Sequence, residues 1–536
     1  MELIPKAKAV VEVLHIQQKF YRWSKDGTYR LKKIFNLLYN PYVLSLAWYL
    51  VSENKGSRTP GTDGVTAKTV KEEIGVVEWL TSIEHKLREG VFKPDLVKRR
   101  WIPKSSNPAQ KRPLGIPTLA DRLVQMALKL VIEPIFEAEF KGCSFGFRPN
   151  RGPLHAIADV RRYMTPRNGY EWIIEADLRK CFDNIDHRLL LRQIGKKVKD
   201  KKILSLIRSF LKAGVMEQDQ VIYPVSGSPQ GGIISPLLAN IFLDQLDEVY
   251  HQRFHTLTPD QRRTMVKHER PLLRHIRYAD DFVIFVKGNK DQAIKALDDL
   301  RDFVNNTLKM ELAEEKTRVL HPKEGFDFLG YQFRRGISQV NGKTGTVLLP
   351  SKEAVTRYRR KVKELTSRSN TWKQLDQVLG ELNRLIRGWG EYFRYGWVSD
   401  LFSDLHRYVF MRVHRWLKKK HKGRSWKWIR RRYLRHDITG RANWNWKDTS
   451  LSILARVCPP KRLSWATENI PTPFNCDATR QALLIPFDDC MSPMVDMEKV
   501  LKRPRTGGEP GDGKLSRRVR RAAGGNGSRK GYRASC

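Results

Sequence analysis

Residues 274–286, RHIRYADDFVIFV, set Asp280 and Asp281 side by side between two apolar runs. Short runs rich in β-branched and aromatic residues on either side of a polar turn read as a β-hairpin. An Asp-Asp turn at such a tip is ordinarily a solvated feature. This chain, however, has 100 Lys and Arg against 57 Asp and Glu, a formal net charge of +43. Two carboxylates close together on partly buried backbone repel, and one takes up a proton unless divalent cations neutralise the pair. A metal site would resolve that repulsion, and it would require a third carboxylate from a neighbouring strand.

WIIEADL, residues 172–178, supplies that carboxylate: an apolar, β-branched run reads as a short strand ending at Asp177. Three aspartates converging from a strand end and a hairpin turn can hold two Mg²⁺ ions roughly 3.5–4 Å apart, the clamp used in phosphoryl transfer. Hard oxygen donors select Mg²⁺ over softer metals.

With 536 residues, 40% of them hydrophobic and 10% aromatic, the chain is long enough for several domains with real cores. Its positive excess points to a polyanionic partner, because each phosphate neutralised by a cation releases counterions. No apolar run approaches the roughly 20 residues of a spanning helix. MELIPKAKAVVEVLHIQQKF lacks the apolar block and cleavage site of a signal peptide. The expected location is therefore cytoplasmic or nucleoid-associated, with no membrane partner. Cysteines at 143, 181, 458, 476, 490 and 536 form no Cys-x-x-Cys, which argues against a disulfide framework and a zinc ribbon. His251 and His255, four apart, read as surface histidines.

Along the chain, residues 1–60 read as a helical N-terminal extension closed by the basic turn NKGSRTPGTDG. Residues 61–165 mix extended basic segments, KRRWIPK and KRPLGIPT, with a helix through DRLVQMALKLVIEPIFEAEF. Residues 166–348 run strand, helix, hairpin, helix and strand, which describes an α+β palm with helices on one face of an antiparallel sheet. Within them SPQGG precedes a long amphipathic helix with Leu238, Phe242 and Leu246 on one face, and FDFLGYQF reads as a strand pair. Residues 349–445 read as helical, with Leu382, Leu385, Ile386, Trp389 and Phe393 forming a core stripe. The stretch 351–440 carries 24 Lys and Arg against 8 Asp and Glu. Residues 446–536 form a basic C-terminal region whose tail, from about 501, is rich in Gly and Arg and is expected to be disordered.

NKGSRTPGTDGV, RRWIPK, RPLGIPTLADRLVQ, SFGFRPNR, EADLRKCFDNIDH, SPQGGIISPLLANIFLDQLD, RYADDFVIF, EEKTRV, FDFLGYQF and LIRGWGEYFRYG follow one another in this order. In that order they resemble a group II intron reverse transcriptase and maturase over roughly residues 40–440. The resemblance implies a right-hand polymerase fold: fingers at 61–165, a palm at 166–348 and an α-helical thumb, the maturase domain X, at 349–445. It further implies RNA-templated DNA synthesis and assistance to intron splicing.

Residue by residue, the resemblance makes Asp177, Asp280 and Asp281 the metal-binding triad, with the Leu178 carbonyl as an extra ligand and two Mg²⁺ as cofactors. Phe182, five residues after Asp177, matches a steric gate against the ribose 2′-hydroxyl; the alternative is a core phenylalanine at the strand-helix junction. Lys104 and Arg112 match residues that grip the triphosphate, and Gln230 matches a contact to the incoming nucleotide. Lys316 matches a proton donor to pyrophosphate, with a solvated lysine as the alternative, and Tyr278 is left as either a site or a packing residue. FDFLGYQF resembles the primer grip. Arg387, Arg394, Lys418, Lys419 and Lys420 stand in the domain X region as candidate RNA contacts. The implied partners are intron RNA, an RNA template with a DNA primer, target DNA and deoxynucleoside triphosphates, in a bacterial host. A homodimer is left open.

One departure concerns the C-terminus. Many members of the family end in a His-Asn-His endonuclease with paired cysteines, whereas residues 446–536 hold four separate cysteines and no histidine cluster. No endonuclease is expected there. Two alternatives keep part of this reading: a stand-alone reverse transcriptase of a defence system, and a maturase that only binds RNA and assists splicing.

Overall fold

The computed structural model describes residues 1–27, 31–103, 110–217, 220–222, 226–227, 231–337, 342, 344–436, 442–454 and 470–475. At its centre is a four-stranded antiparallel sheet in the order Leu272–Tyr278, Asp281–Lys287, Trp172–Asp177, Arg318–Leu320. The predicted hairpin is its first pair. Phe282 to Val286 are almost wholly buried, as are Leu272 to Arg277 on the other strand. An unbroken apolar run such as FVIFV, rather than an alternating one, needs cover on both faces.

Both faces are covered, where the sequence reading places helices on one. The helix Pro153–Met164 and a second sheet share a core with Ile173, Ile276, Val283 and Phe285. On the opposite face the helix Ser235–Tyr250 lies against the hairpin, with Tyr250 stacked on His275 at 4.9 Å. This helix buries Leu238, Phe242 and Leu246 as expected, and also the polar Asn240 and Asp247.

The basic extended segments pair as antiparallel strands, Val97–Pro103 with Lys111–Ile116, in a separate four-stranded sheet completed by Val215–Glu217 and Gln220–Ile222. The helix Leu119–Glu137 packs against the N-terminal helices Lys6–Lys25 and Pro41–Ser52. FDFLGYQF forms strands Phe326–Phe328 and Tyr331–Ile337, which pair with each other, and Thr344–Pro350 adds a third.

That three-stranded sheet is fastened to the C-terminal helices. The Tyr392 hydroxyl donates to the Leu329 carbonyl at 2.8 Å and the Tyr331 hydroxyl donates to the Tyr392 carbonyl, while the Tyr331 and Phe393 rings lie 4.8 Å apart. The helices are Lys352–Leu365, Leu375–Phe393, Ser399–Lys420 and Trp426–Tyr433. In the second of them Leu382, Ile386 and Phe393 are buried, with Leu385 and Trp389 packed beside them, so the predicted stripe is core. No helix among the described residues is long and apolar enough to cross a membrane. The tail from about 501 and the C-terminal cysteines lie outside the described residues.

Candidate active site

Asp177 ends one central strand and Asp281 begins the adjacent one, and the two are directly paired in register. Tyr278 pairs with Asp281 across the hairpin, leaving Ala279 and Asp280 as the turn. Ala279 is left-handed, with φ 58°, a conformation that is uncommon away from glycine and clusters at functional sites. The three predicted carboxylates are thus presented at one end of the sheet by a strand end and a turn.

Their electrostatics are those of a repelling group. Burial, then the charge of Asp177, holds the Asp280 carboxyl above the usual carboxylate range. Burial, then Asp280 and Asp177, pushes Asp281 up to about 7. Asp281 itself is open to solvent on one side, so water screens part of that repulsion. The Lys316 ammonium bonds the Asp177 carboxylate, and that bond raises the lysine pKa. Lys316 arrives there because the chain after Asp177 is laced to residues 311–313. The Ala313 N–H donates to the Asp177 carbonyl at 2.8 Å, Arg179 N–H donates to Glu311 at 2.9 Å, and Leu178 bridges Leu312. A partly exposed set of hard carboxylate oxygens under mutual repulsion fits a divalent cation.

Phe182 lies in the short helical turn Cys181–Asp183, after the left-handed Lys180, and is half-buried. Gly227 packs its backbone on the carbonyl of Asp183, and Gly231, at φ 116°, packs on the carbonyl of Gly115. A Cβ on Gly231 would stand 2.2 Å from that oxygen, so this close backbone approach requires glycine. It brings Gly231 against the strand Lys111–Ile116, which carries Arg112. Arg112 is exposed and paired in register with Ile102. Lys104 and Gln230 lie outside the described residues.

Two family models match the chain: "Reverse transcriptase (RNA-dependent DNA polymerase)" over residues 102–333, and "Group II intron, maturase-specific domain" over 355–434. The group II intron-encoded protein LtrA of Lactococcus lactis is 32% identical over 477 residues, covering 75% of this chain and 78% of that protein. This chain belongs to the group II intron reverse transcriptase and maturase family. Protein YkfC of Escherichia coli is 33% identical over 360 residues, 64% of this chain and 93% of that one. A putative COX1/OXI3 intron 2 protein of Saccharomyces cerevisiae is 28% identical over 341 residues, 56% and 39%. The chain is accordingly a reverse transcriptase with maturase function, and reverse transcriptase domains of this kind work with a divalent metal.

In the maturase-specific region the candidate RNA contacts divide. Arg387, Lys418 and Lys419 are exposed. Arg394 is half-buried and paired with Glu391 at 2.8 Å. The Lys420 ammonium donates to the carbonyls of Thr371 and Lys373, each at 2.8 Å, so its charge ties the end of the helix Ser399–Lys420 to the turn that precedes the helix Leu375–Phe393. Trp372 and Trp397 stand out from this reverse transcriptase's surface, 72% and 54% exposed.

Beneath the turn at Ala279 and Asp280 lies a polar core that the sequence reading passed over. Arg277, fully buried, pairs with Asp247 and reaches Asn240, Ser144 and the turn itself. Asn240 and Asp247 sit seven apart on the helix Ser235–Tyr250, two polar residues on one face of an apolar helix, and that spacing was the available signal. Cys143, Asp247 and His275 are the one group of three among the described residues with possible ligand atoms all within 4.8 Å of one another. They do not fit a metal: a guanidinium already neutralises Asp247, and burial raises the Cys143 thiol well above its usual range. His255, read as a surface residue, is half-buried, and burial lowers it to about 3.

Proposed function

We propose that Asp177, Asp280 and Asp281 form the polymerase centre of this enzyme, and that they hold two Mg²⁺ ions with the Leu178 carbonyl as a further ligand. The supporting observation is the registered pairing of Asp177 with Asp281 beside the Asp280 turn. The ions would supply activation of the primer 3′-hydroxyl and neutralisation of charge on the phosphates. The hydroxyl attacks the α-phosphate of a deoxynucleotide, forming the new phosphodiester as pyrophosphate leaves.

The protein's own residues position and select. Arg112, with Lys104, holds the triphosphate through a guanidinium fork and an ammonium. Phe182 sets its ring against a ribose 2′-hydroxyl, and Gln230, in the sequence SPQGG, contacts the nucleotide. Lys316, bonded to Asp177, would deliver a proton to pyrophosphate once nucleotide binding frees it. The strands Phe326–Phe328 and Tyr331–Ile337 would act as the primer grip.

Residues 61–165, 166–348 and 349–445 act as fingers, palm and thumb. Intron RNA is held through phosphate and 2′-hydroxyl contacts by the N-terminal extension and by exposed cations that include Arg387, Lys418 and Lys419. The template-primer and target DNA share the basic surface. An intron role is favoured over a stand-alone polymerase by the match at 355–434. Primer extension on an RNA template in Mg²⁺, beside splicing of the intron that encodes the chain, tests the reading. A protein that binds its intron but extends no primer would leave only the maturase half.

A further inference from the structure

We propose that Arg277 is a positioning residue for polymerisation: its buried guanidinium holds the Ala279 carbonyl and thereby sets the direction in which Asp280 enters the metal site. The inference rests on the assignment of Asp280 to that site.

All five N–H groups of Arg277 have acceptors, which is the full capacity of a guanidinium. Nε donates to both Asp247 oxygens, at 2.9 and 3.1 Å. Nη2 donates to Asp247 Oδ2 at 2.5 Å and to Ser144 Oγ at 2.8 Å. Nη1 donates to Asn240 Oδ1 at 3.0 Å and to the Ala279 carbonyl at 2.9 Å. The first four acceptors belong to the scaffold, in the helix Ser235–Tyr250 and the segment at Ser144. Only the last lies in the catalytic turn.

That one bond matters because a peptide unit is planar. Fixing the Ala279 oxygen fixes the plane that also contains the nitrogen and Cα of Asp280, and with it the side-chain direction. Ala279 is left-handed, a state without intrinsic preference for a residue bearing a Cβ, so something must hold it. A second contact closes the clamp. The backbone of Gly146 passes so near that a Cβ there would lie 2.4 Å from the Ala279 nitrogen. Asn240 Nδ2 holds the Gly146 carbonyl at 2.8 Å, while Phe145 N–H donates to the Arg277 carbonyl at 2.9 Å and Arg277 N–H to Cys143 at 2.8 Å. The turn is therefore gripped from below by one side chain and from beside by one backbone, both referred to the same helix.

A role confined to stability would need the charge pair alone. Arg277→Lys keeps the charge next to Asp247 but has three donors on one nitrogen and no fork, so it cannot serve the scaffold and Ala279 together. The full-length variant is to be titrated with terbium(III) without substrate, with Mg²⁺ as competitor, and assayed for single-nucleotide extension. Because misplacement on the order of 1 Å can cost about a hundredfold in rate, kcat should fall at least about tenfold. Apparent cation affinity should fall about fivefold or more, while KM for the deoxynucleotide and intron RNA affinity stay within about twofold of wild type.

A folded Arg277→Lys protein with wild-type kcat and cation affinity would overturn the proposal, as would a loss confined to KM. The paired variant Arg277→Met with Asp247→Leu removes the clamp without leaving an unpaired buried charge, and it should show the same losses. Wild-type behaviour there would overturn the proposal equally, and failure of both variants to fold would make Arg277 a fold determinant and nothing more. Asp280→Asn separates the two assignments: if it leaves terbium binding of the otherwise wild-type chain unchanged, the placing of Asp280 in the metal site is what fails.

Discussion

Asp177 and Asp281 face each other as registered partners on adjacent antiparallel strands. Their carboxylates cannot separate without breaking the sheet, so the folded protein carries a repulsion that the unfolded chain does not. Asp281→Asn should therefore abolish primer extension and yet raise the unfolding midpoint in metal-free buffer near neutral pH. The gain should be no more than about 1 kcal/mol, because water at the open side of Asp281 screens the interaction. Chemical denaturation beside an extension assay checks both signs, and a destabilised Asp281→Asn protein would contradict the account.

Phe182, half-buried on the turn after Asp177, should decide sugar selection. Phe182→Ala opens space at the 2′ position and should increase ribonucleotide relative to deoxynucleotide incorporation by at least about tenfold, a difference of about 1.4 kcal/mol between the two transition states. Competing the two nucleotides on one template reads the ratio directly. No change in it would reduce Phe182 to a packing residue.

Polymerisation and splicing should separate. Asp280→Asn with Asp281→Asn should stop DNA synthesis and leave protein-assisted splicing near wild type, if, as proposed, RNA is bound by cations elsewhere. Neutralising Lys418 and Lys419 should weaken intron binding and flatten its salt dependence by roughly one counterion per lost phosphate contact. Lys420 belongs outside this test, because its bonds to the Thr371 and Lys373 carbonyls make its loss a structural change. Binding isotherms at several salt concentrations give the slope.

A distant carboxyl should show in the pH dependence of stability. Asp121 is about 1% exposed, and burial first, with Asp95 and Asp63 adding charge, pushes its carboxyl up to about 7. The folded value lies above the unfolded one, so the protonated acid favours folding. That contribution is complete below about pH 4 and is lost as pH rises through about 7. Asp121→Asn should be more stable than wild type at pH 8, by a few kcal/mol at most, and should lose its advantage near pH 4. Denaturation midpoints at the two pH values test the sign.

The hairpin, the strand ending at Asp177 and the gathering of three aspartates at one end of the sheet were legible in the sequence, because unbroken apolar runs and repelling charges leave few alternatives. The sequence also determined the core stripe of the helix Leu375–Phe393, whose spacing is local. Tertiary structure alone decided which polar residues are buried and what they grip. Arg277 reads in sequence as one more cation in a chain of +43. It becomes a clamp only because Asp247, Asn240 and Ser144, distant in sequence, meet it beneath Ala279. Lys420 likewise reads as part of a basic cluster until two carbonyls from another segment claim its ammonium. Hydrogen-bond partners far apart in the chain follow no period, so their pairing is written in the packing of elements and not in the spacing of residues.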